Sequence, residues 1–240
     1  MSAQPLVAGV DGAPGGFAVV TLSAEGPIVP KISLAGTFQE VLDTATTIAI
    51  DIPIGFPDAI EGPGRVAEQA VRPLLGARQS SVFSMPSREV VYADTYGEAC
   101  EKALATSTPP RKVSKQAFAI FGDIRLVDRV VTPANQHRVF ECHAELAFWR
   151  LNGEAVMATP KRVKGVPMRE GLGERIALLV ANGYPEAMFD KSPSKGMPLI
   201  DLVDAAAIAL IARRCHKGEA VPFPDPPGVD GRGLRIAIWA

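Results

Sequence analysis

The segment LIDLVDAAAIALIA, residues 199–212, constrains this 240-residue chain more than any other. Its uninterrupted apolar run, Ala205–Ala212, is far short of the roughly 18 residues that a membrane helix needs. The spacing predicts a helix from about Leu199 to Cys215, preceded by Pro198 and buried on most sides. Asp204 lies about one turn inside that helix. A buried carboxylate is costly unless it is paired or metal-bound, so Asp204 asks for a partner. Asp201 is three residues earlier and can point at the same place, although a carboxylate at a helix start also suits the dipole.

The surface on which such a helix can lie is supplied by short apolar strands. Leu6–Asp11 (LVAGVD) ends in Asp-Gly, and Gly15–Leu22 is close enough to form a hairpin with it. Ile28–Leu34 alternates as a third strand, Thr47–Asp51 (TIAID) is a buried fourth, and Arg138–Cys142 is a fifth. Helical patterns fall on Phe38–Ala45, Arg65–Leu75, Ser114–Val130, Ala144–Leu151 and Gly171–Ala181. A polar loop occupies Gly76–Arg88. The Pro-rich stretch VPFPDPPGVDGRG reads as coil leading to a terminal strand, LRIAIW. Three strands, a helix, a strand, then helix-strand-helix alternation predict an α/β domain with a mixed sheet.

Composition excludes several classes. With 47% hydrophobic and 21% charged residues the chain is an ordinary globule, long enough for its own core. No basic, apolar leader pattern opens it, so no secretory signal and no membrane partner is expected. Cys100, Cys142 and Cys215 lack CxxC spacing, which argues against a disulfide framework or a zinc site and for a reducing, cytoplasmic setting. The net charge of −1 conceals an asymmetry. Residues 1–110 carry 6 Lys/Arg against 12 Asp/Glu, and residues 111–175 carry 12 against 7. Such a division suits a metal site beside an anion-binding surface, and equally a set of solvated faces.

The carboxylates recur at element ends. Asp11 and Asp51 each follow an apolar strand, where a turn role and a ligand role are both open. Glu141 ends the fifth strand and Glu145 opens the helix after it, with a surface position the alternative for Glu145. Four or five carboxylates on separate elements are a donor set for hard divalent cations, Mg²⁺ or Mn²⁺. Two such ions roughly 3.5–4 Å apart serve phosphodiester hydrolysis by activating water and stabilising the leaving oxygen. Arg78, Ser80, Ser81 and Arg88 in the polar loop suit a phosphate clamp, or else a capped loop packed by Val82 and Phe83. Lys161, Arg162 and Lys164 form a basic cluster suited to a phosphate backbone. His143 is a candidate general base. GAPGG lacks the Lys-Ser/Thr of a P-loop.

As an ordered set, VAGVDGAPGG, IAIDIPIGFP, GARQSSVFSMPSRE, FECHAEL and LIDLVDAAAIAL resemble an uncharacterised domain-of-unknown-function family whose members are described as predicted nucleases with an RNase H-like fold. The resemblance spans nearly the whole chain. It implies a five-stranded mixed sheet, three strands antiparallel and then two parallel, flanked by helices. It implies one RNase H-like domain over residues 1–240, with insertions at about 60–135 and 152–198. It also implies metal ligands at Asp11, Asp51, Glu141 or Glu145, and Asp204, with Asp201 accessory. The Holliday-junction resolvase branch of that fold is similar more distantly, through an acidic motif on the last helix. The chain departs from the family at Ala144, where His-Pro-Glu is common, and at Glu68, where Asp is expected. The resulting expectation is a metal-dependent nuclease, a hydrolase acting on DNA or RNA. The alternatives are an actin- or sugar-kinase-like phosphotransferase and a non-catalytic RNase H-like binding or scaffold protein.

Overall fold

A computed structural model describes residues 4–163 and 165–240 of the chain. Strand β1 (Leu6–Ala13) turns at Pro14-Gly15 into β2 (Gly16–Ser23), and β3 (Lys31–Ala35) extends this antiparallel meander. Helix α1 (Phe38–Leu42) follows, its first turn capped by Thr37, whose hydroxyl accepts from the Glu40 N–H. Strand β4 (Thr47–Ile50) then lies parallel to β1. The chain next leaves the sheet for β5 (Ile60–Glu61), α2 (Val66–Leu75), α3 (Arg88–Val91), α4 (Tyr96–Ala105), β6 (Ser107–Thr108), α5 (Lys115–Ala119) and α6 (Phe121–Asp128). It returns as β7 (Val139–Glu141), parallel to β4. After α7 (Ala144–Leu151) come the small hairpin of β8 (Arg162–Val163) and β9 (Val166–Pro167), then α8 (Arg169–Ala181) and α9 (Leu199–Lys217). A hairpin of β10 (Pro222–Val229) and β11 (Arg235–Trp239) ends the chain. The central sheet has the order β3-β2-β1-β4-β7, three antiparallel strands followed by two parallel ones.

Side-chain alternation divides the sheet into two cores. Ala8, Val10, Phe17, Val19, Ile48, Ile50 and Val139 face one core with α1, α3 and α6. Val7, Ala18, Val20, Leu22 and Ala49 face the other, which α9 and α7 cover. A third cluster joins α2 and α7 to β11 through Val71, Leu146, Trp149, Ile236 and Ile238. Ile200 and Leu202 through Ala212 are buried, as the apolar pattern of the segment demands. Gly9 makes this possible. A Cβ there would stand 2.0 Å from the Ala209 nitrogen and 2.2 Å from the Ala205 oxygen, so α9 rests directly on the β1 backbone.

Several elements differ from the sequence expectation, which has no counterpart for α3, α4 or the short strands β5, β6, β8 and β9. The third strand begins at Lys31, not Ile28. The single helix expected over 114–130 is two, broken at Ile120, so Phe121, Ile124 and Val127 are buried while Leu126 is exposed. The Pro-rich coil is strand β10. Its ladder with β11 shifts register between Phe223 and Gly228, so Pro224, Pro226 and Pro227 occupy the irregular stretch. Asp11 lies inside β1, paired with Ala18, because the hairpin continues two residues beyond it.

Candidate functional site

A cleft of about 660 Å³ opens at the end of the sheet where β1, β4 and β7 point their carboxyl ends. Asp11, Asp51, Asp201 and Asp204 all line it, as do Glu68, Glu141 and Glu145. Asp11 follows Gly9 by two residues and so lies on the same face of β1, the face covered by α9. The close approach at Gly9 brings Ala205, and with it Asp204, over that face. Asp51 follows β4 on the side of Ala49. Its Oδ2 accepts from the Ala144 N–H at 2.9 Å, which ties it to the start of α7. Asp201 stands one turn before Asp204 on α9.

These four aspartates act on one another. Burial raises the Asp11 pKa well above the usual carboxylate range, and Asp204, Asp51 and Asp201 push it further. Burial also raises Asp204, against the pull of Lys161. Asp201 rises to about 6, through burial and then the Asp204 charge. The cation among them is Lys161, whose ammonium donates to Asp204 Oδ2. Burial works against that ammonium, yet Asp204, Glu145 and Asp11 hold it above the usual lysine range. The second oxygen of Asp204, Oδ1, is buried with no hydrogen-bond partner among the described residues.

The two glutamates are placed differently. Glu141 pairs across the sheet with Ile50, whose side chain belongs to the opposite core, so Glu141 points away from the Asp11 face. There the fully buried Arg65 donates to it at 2.5 and 3.1 Å, and to Glu68 at 2.5 and 2.8 Å. The Ile54 N–H adds a bond of 2.7 Å to Glu141. Burial lifts Glu141 to about 7, with Arg65 opposing. Glu145 is on the α9 side but buried, and both its oxygens accept from Arg175 at 2.8 Å. Among the described residues no group of three or more His, Cys, Asp or Glu is arranged to hold a metal ion.

A family model described as "Protein of unknown function (DUF429)" matches residues 9–228. The chain belongs to this family. No curated protein and no solved structure matches it. No described helix is long and apolar enough to cross a membrane.

The remaining wall of the cleft in this DUF429 protein mixes polar side chains with apolar ones such as Val82, Met85, Ile120 and Ile238. Arg78, Ser80 and Ser81 line it, with Phe83, His143 and Arg162. The residues 76–81 form a 3₁₀ turn instead of an irregular loop. His143 Nε2 lies 3.3 Å from the Ser81 carbonyl oxygen, and because a carbonyl only accepts, that bond needs the proton on Nε2; Nδ1 is buried without a partner among the described residues. Arg88, expected among the phosphate contacts, does not line the cleft. It is bound to Asp128 and Asp230, each at 2.5 Å. Lys161 does line it, but its ammonium is held by Asp204. Lys164 lies outside the described residues. Three residues that shape the DUF429 site were not singled out as site residues from the sequence: Arg65 and Arg175, which neutralise the two glutamates, and Glu68, which shares Arg65. A signal for Arg175 exists in GLGERIALLV, where Leu172, Ile176 and Leu179 place it on the buried side of α8. For Arg65 it is the R-x-x-E spacing to Glu68 at the start of α2, where the Glu68 carboxylate caps the Arg65 N–H at 2.6 Å.

Proposed function

We propose that this chain is a metal-dependent hydrolase of RNase H-like fold that cleaves phosphodiester bonds in nucleic acid, with Asp11, Asp51 and Asp204 as its central carboxylates. The observation that carries the proposal is a charge imbalance. Four aspartates in one cleft, two of them raised chiefly by burial and by a neighbouring aspartate, meet one ammonium, Lys161, and the guanidinium of Arg162, which acts on Asp201. The sheet order agrees with the order that the family resemblance implies, and the aspartates lie at the strand ends where α/β sheets receive ligands.

The donors fit a hard divalent cation, Mg²⁺ or Mn²⁺, in kind: all are carboxylate oxygens, and Asp204 Oδ1 is buried without a partner among the described residues. Asp11, Asp51 and Asp204 would hold such an ion, and Lys161, now bound to Asp204, would have to give up that carboxylate to it. When bound, the cation supplies Lewis acidity at the scissile phosphodiester. The chain itself orients the donors. The Ala144 N–H at the start of α7 fixes Asp51, and the Arg175 fork on Glu145 fixes α7 in turn. Arg65 holds Glu141 and Glu68 against the loop after β4, through the Ile54 and Gly55 carbonyls at 2.9 and 2.8 Å. Glu141 and Glu145 thus serve as braces, and the aspartates carry the chemistry. Lys161 lines the same cleft, so its ammonium, if released from Asp204, would be available to a substrate phosphate.

Calorimetric titration with Mn²⁺ tests the proposal, comparing the wild type with the Asp11→Asn, Asp204→Asn double variant. Heat in the wild type that disappears in the variant is the expected result, followed by Mn²⁺-dependent cleavage of labelled oligonucleotides. Absence of Mn²⁺ binding by the wild type, with and without an added oligonucleotide, would overturn it and leave a non-catalytic binding protein whose acids are neutralised internally by Arg65, Arg175 and Lys161.

A further inference from the structure

The cations around the cleft fall into two groups. Arg65, Arg175 and Lys161 are locked onto carboxylates. Arg78 and Arg162 are not: among the described residues each makes one long hydrogen bond, to a carbonyl, at 3.3 Å to Ala158 and 3.2 Å to Gly165, and Arg162 faces the Asp201 charge without bonding to it. Arg78 Nε is in addition buried without a partner among the described residues. Guanidinium groups with unengaged donors beside a cleft are anion sites of the kind that phosphate fills bidentately.

The segment Val82-Phe83, which follows Arg78 in the chain, splits its two apolar side chains. Val82 is 5% exposed and anchors the segment, whereas Phe83 is 36% exposed and lines the cleft. An aromatic ring left at the surface of a cleft, beside cations, is the arrangement on which nucleic-acid bases stack. The volume of about 660 Å³ lies in the range that encloses a small ligand, of a nucleotide's size. A duplex instead draws its affinity from many phosphate contacts across a basic surface. Here the net charge is −1, and Arg88, the other arginine of the Phe83 segment, is bound to Asp128 and Asp230.

We infer that the cleft receives a single-stranded segment of nucleic acid, with its phosphates on Arg78 and Arg162 and one base against Phe83. The inference rests on the hydrolase reading above and names its substrate class. Phosphates seated on the two arginines lead toward the aspartates, while the ring of Phe83 holds the strand without regard to sequence, because every base has a π-face.

Fluorescence anisotropy tests it, with a short labelled single strand, the same strand annealed to its complement, and a labelled mononucleotide as probes. The single strand is expected to bind at least tenfold more tightly than either of the others. Phe83→Ala, at a half-exposed position where folding can be checked by melting temperature, is expected to weaken strand binding about 5- to 150-fold, the equivalent of one base stack. Arg78→Ala and Arg162→Ala should each weaken binding and lower the slope of log K against log salt by about one phosphate contact, roughly 0.7 for a single strand. Duplex binding as tight as strand binding, mononucleotide binding as tight as strand binding, or an unchanged affinity in Phe83→Ala would each overturn the inference. The Mn²⁺ titration distinguishes its failure from that of the hydrolase reading. Carboxylate-dependent Mn²⁺ binding without strand preference removes only the inference. Phe83-dependent strand binding without Mn²⁺ binding removes only the hydrolysis.

Discussion

Gly9→Ala is the substitution that tests how the site is assembled. Its Cβ would lie 2.0 Å from the Ala209 nitrogen, 2.2 Å from the Ala205 oxygen and 2.5 Å from the Ala209 Cα. All three are backbone atoms of α9, so no side-chain rotation relieves the clash. Either α9 lifts from the sheet by more than about 1 Å or β1 bends, and close-packed interiors accommodate neither cheaply. Overpacking generally costs about 1–3 kcal/mol, and a clash against backbone belongs at or beyond the upper end. For a chain of this length each kcal/mol shifts the melting temperature by about 2–4 °C, so Gly9→Ala is expected to melt about 6–12 °C lower than the wild type. Gly12→Ala on the same strand is the control. The nearest atoms to its Cβ are Asp123 Oδ2 at 3.5 Å and Ile52 Cδ1 at 3.7 Å, which are ordinary contacts. Circular dichroism melts of both variants give the comparison. Because α9 carries Asp204 and β1 carries Asp11, the same displacement should also weaken Mn²⁺ binding. A Gly9→Ala protein that melts within about 2 °C of the wild type would refute the close seating of α9 on β1, and with it the placement of Asp204 beside Asp11.

Four further outcomes follow from the charged groups. Arg65→Met leaves Glu141 and Glu68 buried without their counter-charge and should lower unfolding stability in urea by about 3–5 kcal/mol, whereas Arg78→Met should change it by less than about 0.5 kcal/mol. Asp11→Asn removes a carboxylate whose pKa is raised by burial and by Asp204; a raised acid gives up stability as pH climbs through its folded pKa, so the variant should melt higher than the wild type, by more at pH 8 than at pH 5. Asp201 behaves in the same sense over a narrower window. Its contribution is complete below its unfolded pKa of about 3.9 and is lost as pH rises through about 6, so Asp201→Asn should flatten the melting-temperature profile between those limits. Lys161→Met removes the ammonium that a cation must displace from Asp204, and calorimetry should show Mn²⁺ bound about tenfold more tightly or better, since a charge-assisted bond of about 1.5–3 kcal/mol no longer has to break.

What could be read from the chain divides along a physical line. Strands β1, β2, β4 and β7 and helix α9 are continuous apolar runs whose burial is decided locally, and all were legible. So was the placement of Asp11, Asp51 and Asp204 at one end of the sheet, because each follows or interrupts such a run. Partners brought from a distance were not. Arg65 stands 76 residues from Glu141 and Arg175 stands 30 from Glu145, so nothing near FECHAEL shows that both glutamates are already neutralised. Parity was the one local clue to their difference. In Val139-Phe140-Glu141 the acid shares the side of Val139 and in Val10-Asp11 it opposes Val10; once both valines face the same core, the two acids must face opposite ways. The Pro-rich stretch misled for a related reason, since a strand that pairs at its two ends and bulges between them carries no alternating pattern in its middle. Lys161 combines both difficulties. In PKRVKG it has the appearance of a solvated phosphate contact, and only the fold shows that its ammonium closes on Asp204. The position that makes the aspartates a candidate metal centre is therefore held by the chain's own lysine, and the affinity of Lys161→Met for Mn²⁺ reports directly on whether that lysine stands in for a cation or simply completes a structural pair.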